Sequence, residues 1–200
     1  MPEWRTSEYG GDASELVGEI DVMPGHPDVL RRIERLQLAV DRSPHDWQSR
    51  VALAQALAQN GEFDRSVGHL RTSIELVSDR QSLASIFFNL GVCMESQERW
   101  SEAATAYEQC AFLMPHLFWA HYNLGVCLHR CGRLAHALDE LRMAQGLNGD
   151  IPDVYQGLAE AYRDAGMLYE AERACLRLLE QEPESLWAMR TLHNIRRQIN

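Results

Sequence analysis

From Val29 to the end of the chain, apolar residues return every three or four positions, in blocks separated by short polar stretches rich in glycine, proline and asparagine. That spacing predicts amphipathic helices, because an α-helix turns by about 100° per residue. Asn60-Gly61, Cys131-Gly132 and Ala165-Gly166 divide neighbouring blocks, and a glycine there can take the left-handed conformation that ends a helix. One dividing point, Gln97-Glu98-Arg99, has no glycine.

The blocks are copies of one another. FNLGVCMESQERWSEAATAYEQC starts at Phe88 and YNLGVCLHRCGRLAHALDELRMA at Tyr122, so Gly91 and Gly125 stand 34 residues apart. In that register Leu90-Gly91, Ala103, Tyr107 and Pro115 match Leu124-Gly125, Ala137, Leu141 and Gly149. Leu158-Ala159, Ala171, Cys175 and Pro183 continue the series downstream, and Leu53-Ala54, Ser66 and Leu70 continue it upstream less faithfully. The pattern of a large residue, Leu-Gly, an aromatic, a small residue, another large residue and a closing proline resembles the tetratricopeptide repeat family. The chain departs from it at Arg50 and His121, where a large apolar residue is usual, and at Ser66, where alanine is usual. The step from Ala54 to Gly91 is 37 residues, which puts extra residues near Ser82.

The resemblance implies an all-α fold, a right-handed superhelical solenoid of antiparallel helix pairs. The expected organisation is a half repeat over 29–46, full repeats over 47–83, 84–117, 118–151 and 152–185, and a capping helix over 186–200 with a polar outer side. Residues 1–28 read as a mobile acidic arm: seven acids against Arg5 give it −6 of the total charge of −10. Its Trp4, Tyr9, Leu16 and Ile20 are candidates to cover an apolar surface.

In each first helix, the residues at −3, 0, +1 and +4 from the leucine of Leu-Gly share the packing face, so the opposite face is expected to meet water. In the fourth repeat that face is polar, with Asp153, Gln156, Glu160 and Arg163. The first repeat mixes Gln55 with Val51, and the middle two put Phe88, Asn89 and Val92, then Trp119, Tyr122, Asn123 and Val126, on that side. By resemblance this face lines the concave groove where family members hold partner segments. These nine residues form the expected binding site, with aromatic anchors and with asparagines holding the backbone of an extended or helical segment of another protein. Simple filling of the space between neighbouring first helices is the competing reading. Relatives that grip a C-terminal carboxylate use lysine and arginine here, whereas Val51, Gln55, Phe88, Val92 and Trp119 occupy the comparable places, so no carboxylate clamp is expected.

Composition narrows the rest. The negative charge argues against a nucleic-acid surface, and no apolar run is long enough to span a membrane. The start MPEWRTSEYGG lacks a signal-peptide pattern. Five cysteines, an odd number, point to free thiols and a cytoplasmic address. Cys127, His129, Cys131 and His121 offer at most part of a metal site, and no nucleophile or phosphate-loop motif occurs, so the expectation is a non-enzymatic interaction module with no metal and no cofactor. A cytosolic chaperone for a secreted bacterial protein, or a self-associating subunit of a larger assembly, are the alternatives.

Overall fold

The computed structural model describes residues 24–148 and 151–199. The acidic arm lies outside the described residues as far as Met23. Ten α-helices, and no strand, occur among the described residues. Two compact units divide between Pro115 and His116.

The first unit holds α1 (Pro27–Arg42), α2 (Trp47–Gln59), α3 (Phe63–Leu76), α4 (Arg80–Glu95) and α5 (Trp100–Leu113). Pro27 opens α1, where its missing N–H is no loss, and His26 Nδ1 accepts from the Asp28 amide. Asp46 caps α2 by accepting from the amides of Gln48 and Ser49, and Asp79 caps α4 by accepting from that of Ser82. The helices α2 and α3 form one hairpin and α4 and α5 the next, while α1 packs on α2 through Val29, Ile33 and Val40 against Leu53, Ala56 and Leu57.

The second unit repeats the scheme with α6 (Phe118–Arg130), α7 (Leu134–Leu147), α8 (Pro152–Asp164), α9 (Leu168–Gln181) and α10 (Leu186–Ile199). Its hairpins are α6 with α7 and α8 with α9, and α10 packs on α9.

The repeated Leu-Gly is explained by how closely the paired helices approach. A Cβ on Gly91 would lie 2.6 Å from the Tyr107 ring, and one on Gly125 would lie 2.7 Å from Leu141 Cγ. Tyr107 of α5 and Leu141 of α7 therefore rest on the bare backbone of their partner helices. Tyr107 is fully buried there, with its hydroxyl donating to Glu95 Oε2 at 2.8 Å. In the α2–α3 hairpin the slot is filled differently: Ser66 Oγ donates to the Ala54 carbonyl at 2.7 Å.

Every hairpin turn has the same backbone shape. Gly61, Gly132 and Gly166 have φ of 81°, 74° and 75°. Glu98 takes the place of glycine at φ 57° and makes the same closing bonds, its amide to Glu95 O at 2.9 Å and the next amide to Met94 O at 2.9 Å.

Candidate partner-binding faces

In the first unit the expected face is built from α2 and α4. Val51 and Gln55 are half-buried on α2. Phe88, expected on the open side, is only 2% exposed and meets the Tyr107 ring edge to face, with centroids 5.5 Å apart. The reason is local: Phe88 is three residues before Gly91, on the same edge of α4, and the close approach of Tyr107 to that glycine brings its ring within reach. Phe88 is thus a packing residue of its own hairpin. Asn89 is also buried, and its Nδ2 donates to the Ser85 carbonyl one turn back, at 3.0 Å. That donor is committed to its own helix. Val92 completes this group as a buried side chain.

In the second unit α6 carries the expected residues. Trp119 is buried, while Tyr122 and Val126 are half-buried. The helix also presents Phe118, which sequence reasoning passed over. Its ring stacks on Tyr122 at 6.0 Å with an 8° interplanar angle and meets Trp119 edge to face at 4.9 Å. The signal was available in the four-residue spacing from Phe118 to Tyr122, which places both on one helix edge. A Cβ on Gly157 would lie 3.8 Å from the Tyr122 ring, so α8 also flanks the cluster. Tyr122 is left half-buried at the edge of this ring cluster.

Asn123 differs from its counterpart Asn89. It is 3% exposed, and its side chain makes no hydrogen bond within the described residues. Its polar atoms still reach solvent, since they are absent from the fully enclosed unpaired groups, Arg50 Nε and Gln97 Nε2. A carboxamide with no hydrogen bond among the described residues keeps both donor and acceptor for an incoming backbone amide.

The flanks are fixed by histidines bonded to carboxylates. His121 is buried with Nδ1 at 2.7 Å from Glu140 Oε2, which ties α6 to α7, and His129 Nε2 lies 2.8 Å from Asp164 Oδ2, which ties α6 to α8. Burial pushes the Asp164 carboxyl up, yet its hydrogen bonds from His129 and Arg163 outweigh that and leave it below the usual carboxylate range. These pairs occupy the histidines. Cys127 is fully buried and Cys131 exposed, and no cluster of three or more metal-ligating side chains occurs among the described residues.

The family model for the tetratricopeptide repeat matches residues 51–112, which span α2 to α5. Over 154 residues, 76% of this chain, the sequence is 28% identical to a tetratricopeptide repeat-containing protein of Caenorhabditis elegans, trd-1, of which it covers 20%. Over 74% of the chain it is 24% identical to the peroxisomal targeting signal receptor of Candida glabrata, covering 25% of it. The chain thus spans a quarter or less of the length of these two relatives. Among solved structures, YrrB, described as a tetratricopeptide repeat protein with an unusual peptide-binding site, superposes with a TM-score of 0.71 at 22% identity, over 82% of each chain. Residues 51–112 carry the tetratricopeptide repeat by the family-model match, and the solved neighbour shares the fold over most of the chain. The helix pairs recur beyond those residues, with Leu-Gly slots at Gly91 and Gly125, and the first-helix face is least polar at α6. No helix among the described residues is long and apolar enough to cross a membrane.

Proposed function

We propose that this tetratricopeptide repeat protein is a non-enzymatic interaction module, acting in the cytoplasm, that holds an extended or helical segment of another protein on its first-helix faces. In the second unit Tyr122 and Val126 offer apolar contact and Asn123 bonds the segment's backbone; in the first unit Val51 and Gln55 give a weaker, uncharged surface above the buried Val92. The observation that carries the reading is an Asn123 carboxamide without a hydrogen bond among the described residues, on the helix that carries the Phe118–Trp119–Tyr122 ring cluster. Peptide binding by YrrB and the receptor role in the Candida relative's name support it by likeness of fold.

Asn123 and Asn89 make an internal control. Peptides selected from a displayed library on the intact chain should lose about tenfold in affinity with Asn123→Ala, the scale of one hydrogen bond of about 1–1.5 kcal/mol. The same change at Asn89, whose donor is used by Ser85, should alter affinity little. No hydrogen bond among the described residues is lost with this amide, so the melting temperature of Asn123→Ala should fall only by the packing of the few atoms removed. Equal binding by both variants, with lower stability for Asn123→Ala, would assign Asn123 to packing.

A further inference from the structure

The second unit holds a cavity of about 570 Å³ lined by α7, α8 and α9. Tyr155, Leu158 and Tyr162 line it from one edge of α8, at helical spacing, and Ala174 and Leu176 of α9 add apolar surface. A cavity of that size, largely apolar and bordered by a few polar groups, has room for a bulky side chain and its neighbours. None of its lining residues belongs to the α6 face.

Some of the polar groups on it are already in use. The Tyr162 hydroxyl accepts from Arg142 Nε at 3.0 Å, with that guanidinium 5.4 Å from the ring centroid, and Arg177 holds Glu180 at 2.7 Å. Others are not. The side chains of Gln145, Tyr155, Glu170 and Arg173 make no hydrogen bond or ion pair among the described residues.

The open acid and base on α9 are the informative ones. Residues three apart on a helix are near enough to bond, and this chain closes that spacing at Asp28–Arg31, Glu62–Arg65, Arg99–Glu102, Asp139–Arg142 and Arg177–Glu180. Where an arginine passes over such an acid, as Arg31 does Glu34 and Arg163 does Glu160, it has another, Asp28 or Asp164. Arg173 has no acidic partner at all, although Glu170 stands three residues before it, and both line the cavity.

We propose that this cavity docks a segment of another protein through a bulky apolar side chain seated on Tyr155 and Leu158, with an acid of the segment on Arg173 and a base on Glu170. Charge complementarity selects that occupant. Glu170 and Glu180 balance Arg173 and Arg177 around the cavity, so a purely anionic or purely cationic segment would meet repulsion along with attraction. Side chains three apart on α9 have Cβ atoms about 5–6 Å apart, which asks for an acid and a base about one helical turn apart on the segment. The Gln145 amide and Tyr155 hydroxyl are left for its backbone. The site is additional to the α6 face and does not rest on the reading given for it.

Selection of displayed peptides on the intact chain, followed by sorting against Arg173→Glu, tests the assignment. Clones that bind the parent and not the variant should carry a bulky apolar residue beside an acid and a base about one helical turn apart. In a synthetic copy of such a peptide, changing the acid to lysine should weaken binding to the parent about tenfold, the scale of one hydrogen bond to a charged group, and restore it on Arg173→Glu. Changing the base to glutamate should do the same through Glu170→Arg, which keeps a second route open. Arg173 is exposed and makes no bond among the described residues, so its variant should melt with the parent. Asn123→Ala should leave the affinity of these peptides unchanged. The proposal is overturned if no clone tells Arg173→Glu from the parent or if exchanged charges fail to restore binding. It is overturned as well if the clones lose affinity with Asn123→Ala, which would seat them on the α6 face.

Discussion

Gly91 and Gly125 are held by what lies across from them, and the two sites differ in how far a neighbour can yield. At Gly91 the obstacle is the Tyr107 ring, which is fully buried, packed on Phe88 and tethered to Glu95. At Gly125 it is the branched end of Leu141, with the Ala137 carbonyl 3.2 Å away. Gly91→Ala and Gly125→Ala should each destabilise by about 1–3 kcal/mol through overpacking, more than the helix-propensity gain of alanine returns. Denaturant unfolding measures it, and a stabilised variant at either site would mean the helices can part without loss. Glu98 gives the opposite sign. Its left-handed φ strains any residue with a Cβ, and its side chain makes no hydrogen bond among the described residues. Glu98→Gly should therefore leave stability unchanged or raise it by up to about 1 kcal/mol.

At the level of one element, α8 carries two carboxylates whose environments work against each other. Burial raises the carboxyl of Asp153 above its ordinary range, and the nearby Glu182 adds to the rise. A folded-state value above the unfolded one means that the ionised group costs stability at neutral pH, and that this cost disappears as pH falls through the folded value towards 3.8. Asp164, with its value lowered, stabilises above the unfolded value and loses that contribution as pH falls through the folded one. Asp153→Asn should then raise the melting temperature at pH 7, Asp164→Asn should lower it, and both differences should shrink below pH 3.8, where the carboxyls are protonated in the unfolded chain. The same melting series tests α10, which buries Ala188 and Ile195 completely and links Arg196 to Glu172 at 2.7 Å. Ile195→Ala should cost about 2–5 kcal/mol, and removal of residues from Glu184 onward should give an aggregating or much less stable protein. Unchanged melting in either would show that α9 needs no cover.

Across the molecule, the repeat interval made the helix pairs legible before any coordinates, because Leu-Gly, the small residue and the large residue each answer to one contact that recurs. The turn at Glu98 was legible by register alone, since its residue type argues against it. The site was less legible. A helical wheel assigns each residue a direction, but Phe88 has a long ring and a glycine-thinned neighbour, so it lies along its hairpin and not on the outer face. The difference between Asn89 and Asn123 was invisible too, because it depends on whether a carbonyl one turn back takes the amide. Four of the five cysteines are buried, Cys131 being exposed: Cys93 Sγ lies 3.3 Å from Ser66 Oγ in the core, and burial pushes the thiols of Cys110 up to about 12 and Cys175 up to about 11. Such thiols stay protonated at neutral pH, and a protonated thiol is a poor metal ligand. His129 and His121 are each bonded to a carboxylate, and no cluster of three or more metal-ligating side chains occurs among the described residues. The melting temperature should accordingly be the same, within about 2 °C, with chelator, with reductant and with neither. A fall beyond about 2–4 °C, which at this chain length corresponds to roughly 1 kcal/mol, would reveal a bound metal or a disulfide as a structural partner.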